Sequence, residues 1–103
     1  MATLRNIFGE VLIERTDLQD FRGFDFSGMD LEFADFANMD LTGSNFEGAN
    51  LSNSRFDDAT IEDCSFSWAN LSGATFEGTD TEFADFELAD IVGSDLYHIT
   101  HIV

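Results

Sequence analysis

From residue 21 to residue 96, every fifth side chain is large and apolar, with one exception. The column reads Phe21, Phe26, Leu31, Phe36, Leu41, Phe46, Leu51, Phe56, Ile61, Phe66, Leu71, Phe76, Thr81, Phe86, Ile91 and Leu96, and only Thr81 departs from it. A helix repeats its apolar face every 3.6 residues and a strand every 2, so neither can use a period of five. Two places before each large residue stands a small one, with Ala, Ser, Cys or Thr at twelve of the sixteen positions. Two of every five side chains therefore point inward and three outward. A chain that turns a corner every five residues and winds into a stacked coil meets that demand, pairing backbone groups between coils around a buried column.

The remaining positions suit the corners. The residue just before the large one is usually Asp or Asn, as at Asp25, Asn45, Asn70 and Asp85, whose side chains bond nearby amides and tolerate turn dihedrals. Glycine follows the large residue by two places in seven repeats, from Gly23 to Gly93, where a turn is easiest for a residue without Cβ. Proline is absent, as expected of coils whose amides must donate to their neighbours.

The unit Ala69-Asn70-Leu71-Ser72-Gly73, and more loosely Ala34-Asp35-Phe36-Ala37-Asn38, resembles the motif of the pentapeptide-repeat proteins. The resemblance covers residues 19–98 and implies an all-β fold, a right-handed quadrilateral parallel β-helix with four repeats per coil. Sixteen repeats then make four coils. Gln19, Phe24, Met29 and Met39 at small positions and Thr81 at a large one are its departures.

The ends read differently. Residues 1–18 are expected to form a cap: Leu4, Ile7, Phe8, Val11 and Leu12 share a helical face with Thr3 as N-cap. Gly9 and the β-branched Ile7, Val11 and Ile13 oppose a helix, and Phe8, Ile13 and Leu18 fall five apart, so a rough extra coil is the alternative to the helical cap. Residues 99–103 form an apolar tail, and Leu96, Tyr97, Ile99, Ile102 and Val103 are the candidate interface of a homodimer formed at the C-terminal end.

Charge bounds the partners. Twenty-one acidic residues against four arginines and no lysine give −17, a surface that repels nucleic acid and anionic lipid and favours basic partners. A single cysteine forbids an intrachain disulfide, and no apolar run approaches the roughly 18 residues that span a bilayer; with no leader-like N-terminus, the expected location is the cytoplasm. Cys64 falls in the small interior column and reads as core. His98 and His101 lack further ligands for zinc. The acidic columns carry neither nucleophile nor base, so the chain is expected to be no enzyme and to hold no cofactor or metal.

Two functional readings follow. The first is a protein-interaction module. Trp68 and Leu88 stand twenty apart at the corner position where glycine is usual, Phe83 has the same role one corner away, and Phe33 repeats it on another face. The second comes from the family resemblance: some pentapeptide-repeat proteins mimic DNA, bind type II topoisomerases such as DNA gyrase and alter quinolone sensitivity. Residues 19–98 carry a net sixteen negative charges. Spread over four coils at about 4.8 Å, that is roughly one per 1.2 Å, against about one per 1.7 Å in duplex DNA. Asp40, Glu62, Asp80 and Glu82 are the candidate contacts of that acidic face.

Overall fold

In the computed structural model, residues 1–96 are described, and residues 19–96 wind into a right-handed parallel β-helix. The inward Phe and Leu cannot leave the axis without entering water, so each coil registers on the next with the same residue types stacked twenty apart. Parallel bridges join Asp25 to Asn45, Asn45 to Ser65 and Ser65 to Asp85 on one face, and Asp30, Asn50, Asn70 and Asp90 likewise on the next. A rung consists of two main-chain bonds: Leu31 N–H donates to Asn50 C=O at 2.8 Å, and Asn50 N–H to Met29 C=O at 2.9 Å. The coils are residues 19–38, 39–58, 59–78 and 79–98, the last described to residue 96.

Alternation of Phe with Leu or Ile gives the core two kinds of wall. Phe26, Phe46, Phe66 and Phe86 lie parallel, with ring centroids 4.6, 4.9 and 5.0 Å apart. Phe36, Phe56 and Phe76 stack the same way at 4.7 and 4.8 Å. These separations are the coil spacing itself, about 4.8 Å. The two stacks face each other edge to face at 5.3 to 6.0 Å, the arrangement the ring quadrupole favours, worth about 0.5–1.5 kcal/mol per pair beyond area. Leu31, Leu51, Leu71 and Ile91 form the third wall, and Phe21, Leu41, Ile61 and Thr81 the fourth.

Small residues fill the corners between walls, and their hydroxyl or thiol groups bond across coils. Ser44 Oγ donates to Phe21 C=O at 2.7 Å, Cys64 Sγ to Leu41 C=O at 2.9 Å, and Thr79 Oγ1 to Phe56 C=O at 2.6 Å. At most corners the carboxylate or amide before the large residue accepts the N–H two residues on, as Asp25 does from Ser27 at 3.0 Å and Asn70 from Ser72 at 3.0 Å.

The N-terminal cap is a β-hairpin, which corrects both expectations for residues 1–18. Strand β1 (Ala2–Asn6) pairs antiparallel with β2 (Val11–Arg15), Leu4 opposite Ile13, and on its other side with β3 (Ala34–Asp35) of the first coil. A helix is prevented where the chain reverses: Gly9 takes φ +88°, and Asn6 Oδ1 accepts the N–H groups of Phe8 and Glu10, both at 3.0 Å. Nor is there an extra coil, because Ile13 sits in an antiparallel pair and not above a coil corner. The alternation of β1 turns Ala2 and Leu4 inward, and both are buried against the first coil's open end. At the other end Leu96 is buried as well and completes the wall of Phe36, Phe56 and Phe76. Tyr97, Ile99, Ile102 and Val103, the rest of the candidate dimer contacts, lie outside the described residues. No helix among the described residues is long and apolar enough to cross a membrane.

Candidate partner-binding surface

The third residue of a type II turn has φ > 0, and among the described corner positions from 23 to 93 only Phe83 departs from it. Glycine meets this freely; where it is missing, the structure forces side chains into the left-handed region. Asn38, Asn53, Asp58 and Asp63 accept it with short polar side chains, but Phe33, Trp68 and Leu88 also stand there, at φ 62°, 63° and 59°. For a bulky residue this conformation is a genuine outlier.

Phe33 has a local reason. The Phe8 ring of the hairpin lies 5.3 Å away, and Phe33 C=O accepts the Ile7 N–H at 2.8 Å. Trp68 and Leu88 have no such cover among the described residues. They are held one above the other, Trp68 N–H donating to Glu87 C=O at 3.1 Å, and are 65% and 46% exposed.

Phe83 departs from the sequence expectation. It is 60% exposed, but its corner has slipped. Elsewhere the turn amide donates to the carbonyl nineteen residues on, as Gly43 does to Glu62; Asp63 N–H donates instead to Phe83 C=O, twenty on, at 3.0 Å. Two residues earlier stands Thr81, smaller than the Phe, Leu or Ile of the other large positions, and a smaller side chain there leaves the wall above Ile61 underfilled. The rung that would join Ala59 and Ile61 to Asp80 is not made. A cavity of about 320 Å³ opens there, lined by Asp58, Ala59, Thr60, Ile61, Glu62, Gly78, Asp80 and Phe83.

Three of the four acids expected on one face border a cavity. Glu62 and Asp80 line the cavity beside Phe83, with Glu82 N–H donating to Asp80 Oδ1 at 3.0 Å. Asp40 sits two coils earlier and borders a second cavity of about 240 Å³ beside the hairpin, with Met1, Gln19, Asp20 and Phe21. Thr42 holds Asp40 in its charged form by side-chain and backbone hydrogen bonds, which lowers its pKa. Hydrogen bonding from Arg22 and from Ser27 does the same for Asp20 and Asp25. Cys64 is buried in the core, and desolvation pushes its thiol up to about 12. Among the described residues no cluster of His, Cys, Asp and Glu could hold a metal ion.

The sequence did not reveal the slipped corner or the lock between Phe8 and Phe33. Thr81 was the available signal for the first. Phe33 at a glycine position was the signal for the second.

The fivefold phase, the Asx-stabilised corners and the stacked Phe walls define a solenoid of five-residue units. The family model for pentapeptide repeats matches residues 19–48, 30–67 and 64–99 in eight copies, and the chain belongs to that family. No curated protein sequence matches it significantly. Among solved structures it is similar to HetL, a pentapeptide repeat protein involved in heterocyst differentiation regulation from the cyanobacterium Nostoc sp. strain PCC 7120. The identity is 23% and the TM-score 0.57, over 72% of this chain and 41% of HetL. It is also similar to QnrB1, a plasmid-mediated fluoroquinolone resistance protein, at 24% identity and TM-score 0.50, over 80% of this chain and 46% of that one. The chain thus spans less than half the length of either, and the likeness is one of fold.

Proposed function

We propose that the chain is a non-enzymatic protein-interaction module that docks a partner on its C-terminal half. The observation that carries this reading is the pair Trp68 and Leu88. Each holds a conformation that costs a residue with a Cβ roughly 1–2 kcal/mol, at a position where seven other repeats use glycine, and each remains open to water. Strain kept at a side chain that stays largely exposed is characteristic of sites that serve a ligand. The acids around the pair select against nucleic acid and in favour of a basic protein surface. The test is capture of partner proteins from the source cell on the immobilised chain, compared with Trp68→Gly/Leu88→Gly. Loss of the captured band in the double variant supports the reading; equal capture refutes it.

A second reading, imitation of DNA toward a type II topoisomerase such as DNA gyrase, draws support from the net sixteen negative charges on residues 19–98. Under it, the purified chain inhibits DNA binding by the topoisomerase, and Glu62, Asp80 and Glu82 changed to Lys weaken that inhibition. Full inhibition by the triple variant excludes this face as the mimic.

A further inference from the structure

We infer that the cleft between the third and fourth coils is a receptor for one arginine side chain of the partner; this rests on the interaction reading above. Two rungs are absent on the same face of the solenoid. One lies where the chain enters the first coil, between Asp20 and Asp40; the other lies at Asp80. Beside the first, Arg22 Nε donates to both carboxylate oxygens of Asp20, at 3.2 and 3.1 Å, and is further attracted by Asp40. The residues at the Arg22 position in later coils are Thr42, Glu62 and Glu82. The second gap therefore has carboxylates in place of the cation.

What lines the second gap matches a guanidinium in more than charge. Ala59 and Ile61 are buried, yet the Ala59 C=O and Ile61 N–H that face the fourth coil in a regular rung have lost their partners there. A main-chain acceptor that has no protein donor and faces a cavity is open to a donor from outside the chain. Glu62 and Asp80 stand beside it with no arginine of the chain among the lining residues. Among the described residues the ion pairs are all elsewhere, at Arg15–Asp17, Arg22–Asp20, Arg55–Asp35 and Arg55–Asp57. Phe83 supplies an exposed aromatic wall. A planar fork of N–H donors can bond the Ala59 carbonyl and a carboxylate together while its face covers the Phe83 ring, which an ammonium cannot do equally well. The volume of about 320 Å³ suits a side chain, at the small end of ligand sites.

The test is a nitrogen–proton NMR titration of the folded chain with acetyl-Ala-Arg-Ala-amide and, separately, acetyl-Ala-Lys-Ala-amide. The Ile61, Asp80 and Phe83 amides are expected to shift saturably with the arginine peptide, and to need several-fold more of the lysine peptide. Thr81→Leu refills the wall above Ile61, closes the cleft and abolishes those shifts in a protein that is no less stable. Glu62→Gln/Asp80→Asn keeps the shape and weakens them. Shifts of equal size at every acidic corner, no preference over lysine, or unchanged binding by Thr81→Leu each overturn the assignment. If these shifts are absent while Trp68→Gly/Leu88→Gly still abolishes partner capture, the cleft assignment fails and the interaction reading stands. If the shifts appear while capture is indifferent to the double variant, the reading it rests on fails.

Discussion

Replacing Trp68 with glycine separates binding from folding. Its φ of 63° costs a residue with a Cβ roughly 1–2 kcal/mol, which glycine recovers. Because the side chain is 65% exposed, only about a third of the 150–250 Å² that an aromatic can bury, roughly 50–90 Å², leaves water. At about 25 cal/mol per Å² that burial contributes roughly 1.3–2.2 kcal/mol as an upper bound. The added freedom of glycine in the unfolded chain costs about 0.4–1 kcal/mol more. The terms partly offset, so Trp68→Gly is expected to lower stability by no more than about 2 kcal/mol, against roughly 3–5 kcal/mol for a core aromatic. Urea denaturation followed by circular dichroism measures the difference. A loss of core size would show that Trp68 holds the solenoid together, and its use as evidence of a docking surface would fall.

Three further outcomes test the interior. Phe46→Asp, Leu51→Asp and Phe66→Asp, each at a fully buried position, should unfold the chain by circular dichroism, because each places an unpaired charge in an apolar column. By contrast Asn50→Ala at an outward corner should cost about 1 kcal/mol. Ser44→Ala loses the bond to Phe21 C=O and should cost about 1 kcal/mol, whereas Ser54→Ala removes a buried hydroxyl that has no partner and should be neutral or stabilising in the same melts. With its thiol at about 12, Cys64 should resist alkylation at pH 8 in the folded protein and react once urea unfolds it, since the thiolate is the nucleophile; rapid native modification would place it outside the core.

The solenoid was legible because one local rule recurs at every corner. An inward Phe or Leu, a small residue before it and an Asp or Asn between them leave a single backbone solution. The hairpin was not. Leu4, Ile7, Phe8, Val11 and Leu12 satisfy a helical template over their short window. What decides against it is non-local: β1 finds a partner in Ala34–Asp35 of the first coil, thirty residues on. The same distinction divides the candidate site. Trp68 and Leu88 stood out because glycine is usual at their position. Their backbone strain and exposure follow from the register of neighbouring coils. Thr81 marked a fault in the fourth wall, but the slip that moves Phe83 by one residue depends on how the third coil receives it. The single face expected for Asp40 and Asp80 assumed unbroken rungs, and that face is broken at both places.

The central claim is that partner binding uses the exposed corners of the C-terminal half rather than the acidic shell as a whole. It is tested most directly by eluting captured partners from the immobilised chain with increasing salt. A DNA-like contact of 6–10 charges loses about 10³–10⁵ in affinity between 50 and 200 mM salt. Docking on Trp68 and Leu88 with one arginine in the cleft should lose less than about tenfold over that range. Partners retained at 200 mM salt by the native chain, and lost by Trp68→Gly/Leu88→Gly, are the predicted result. Complete elution at that salt, with equal capture by the double variant, would contradict it.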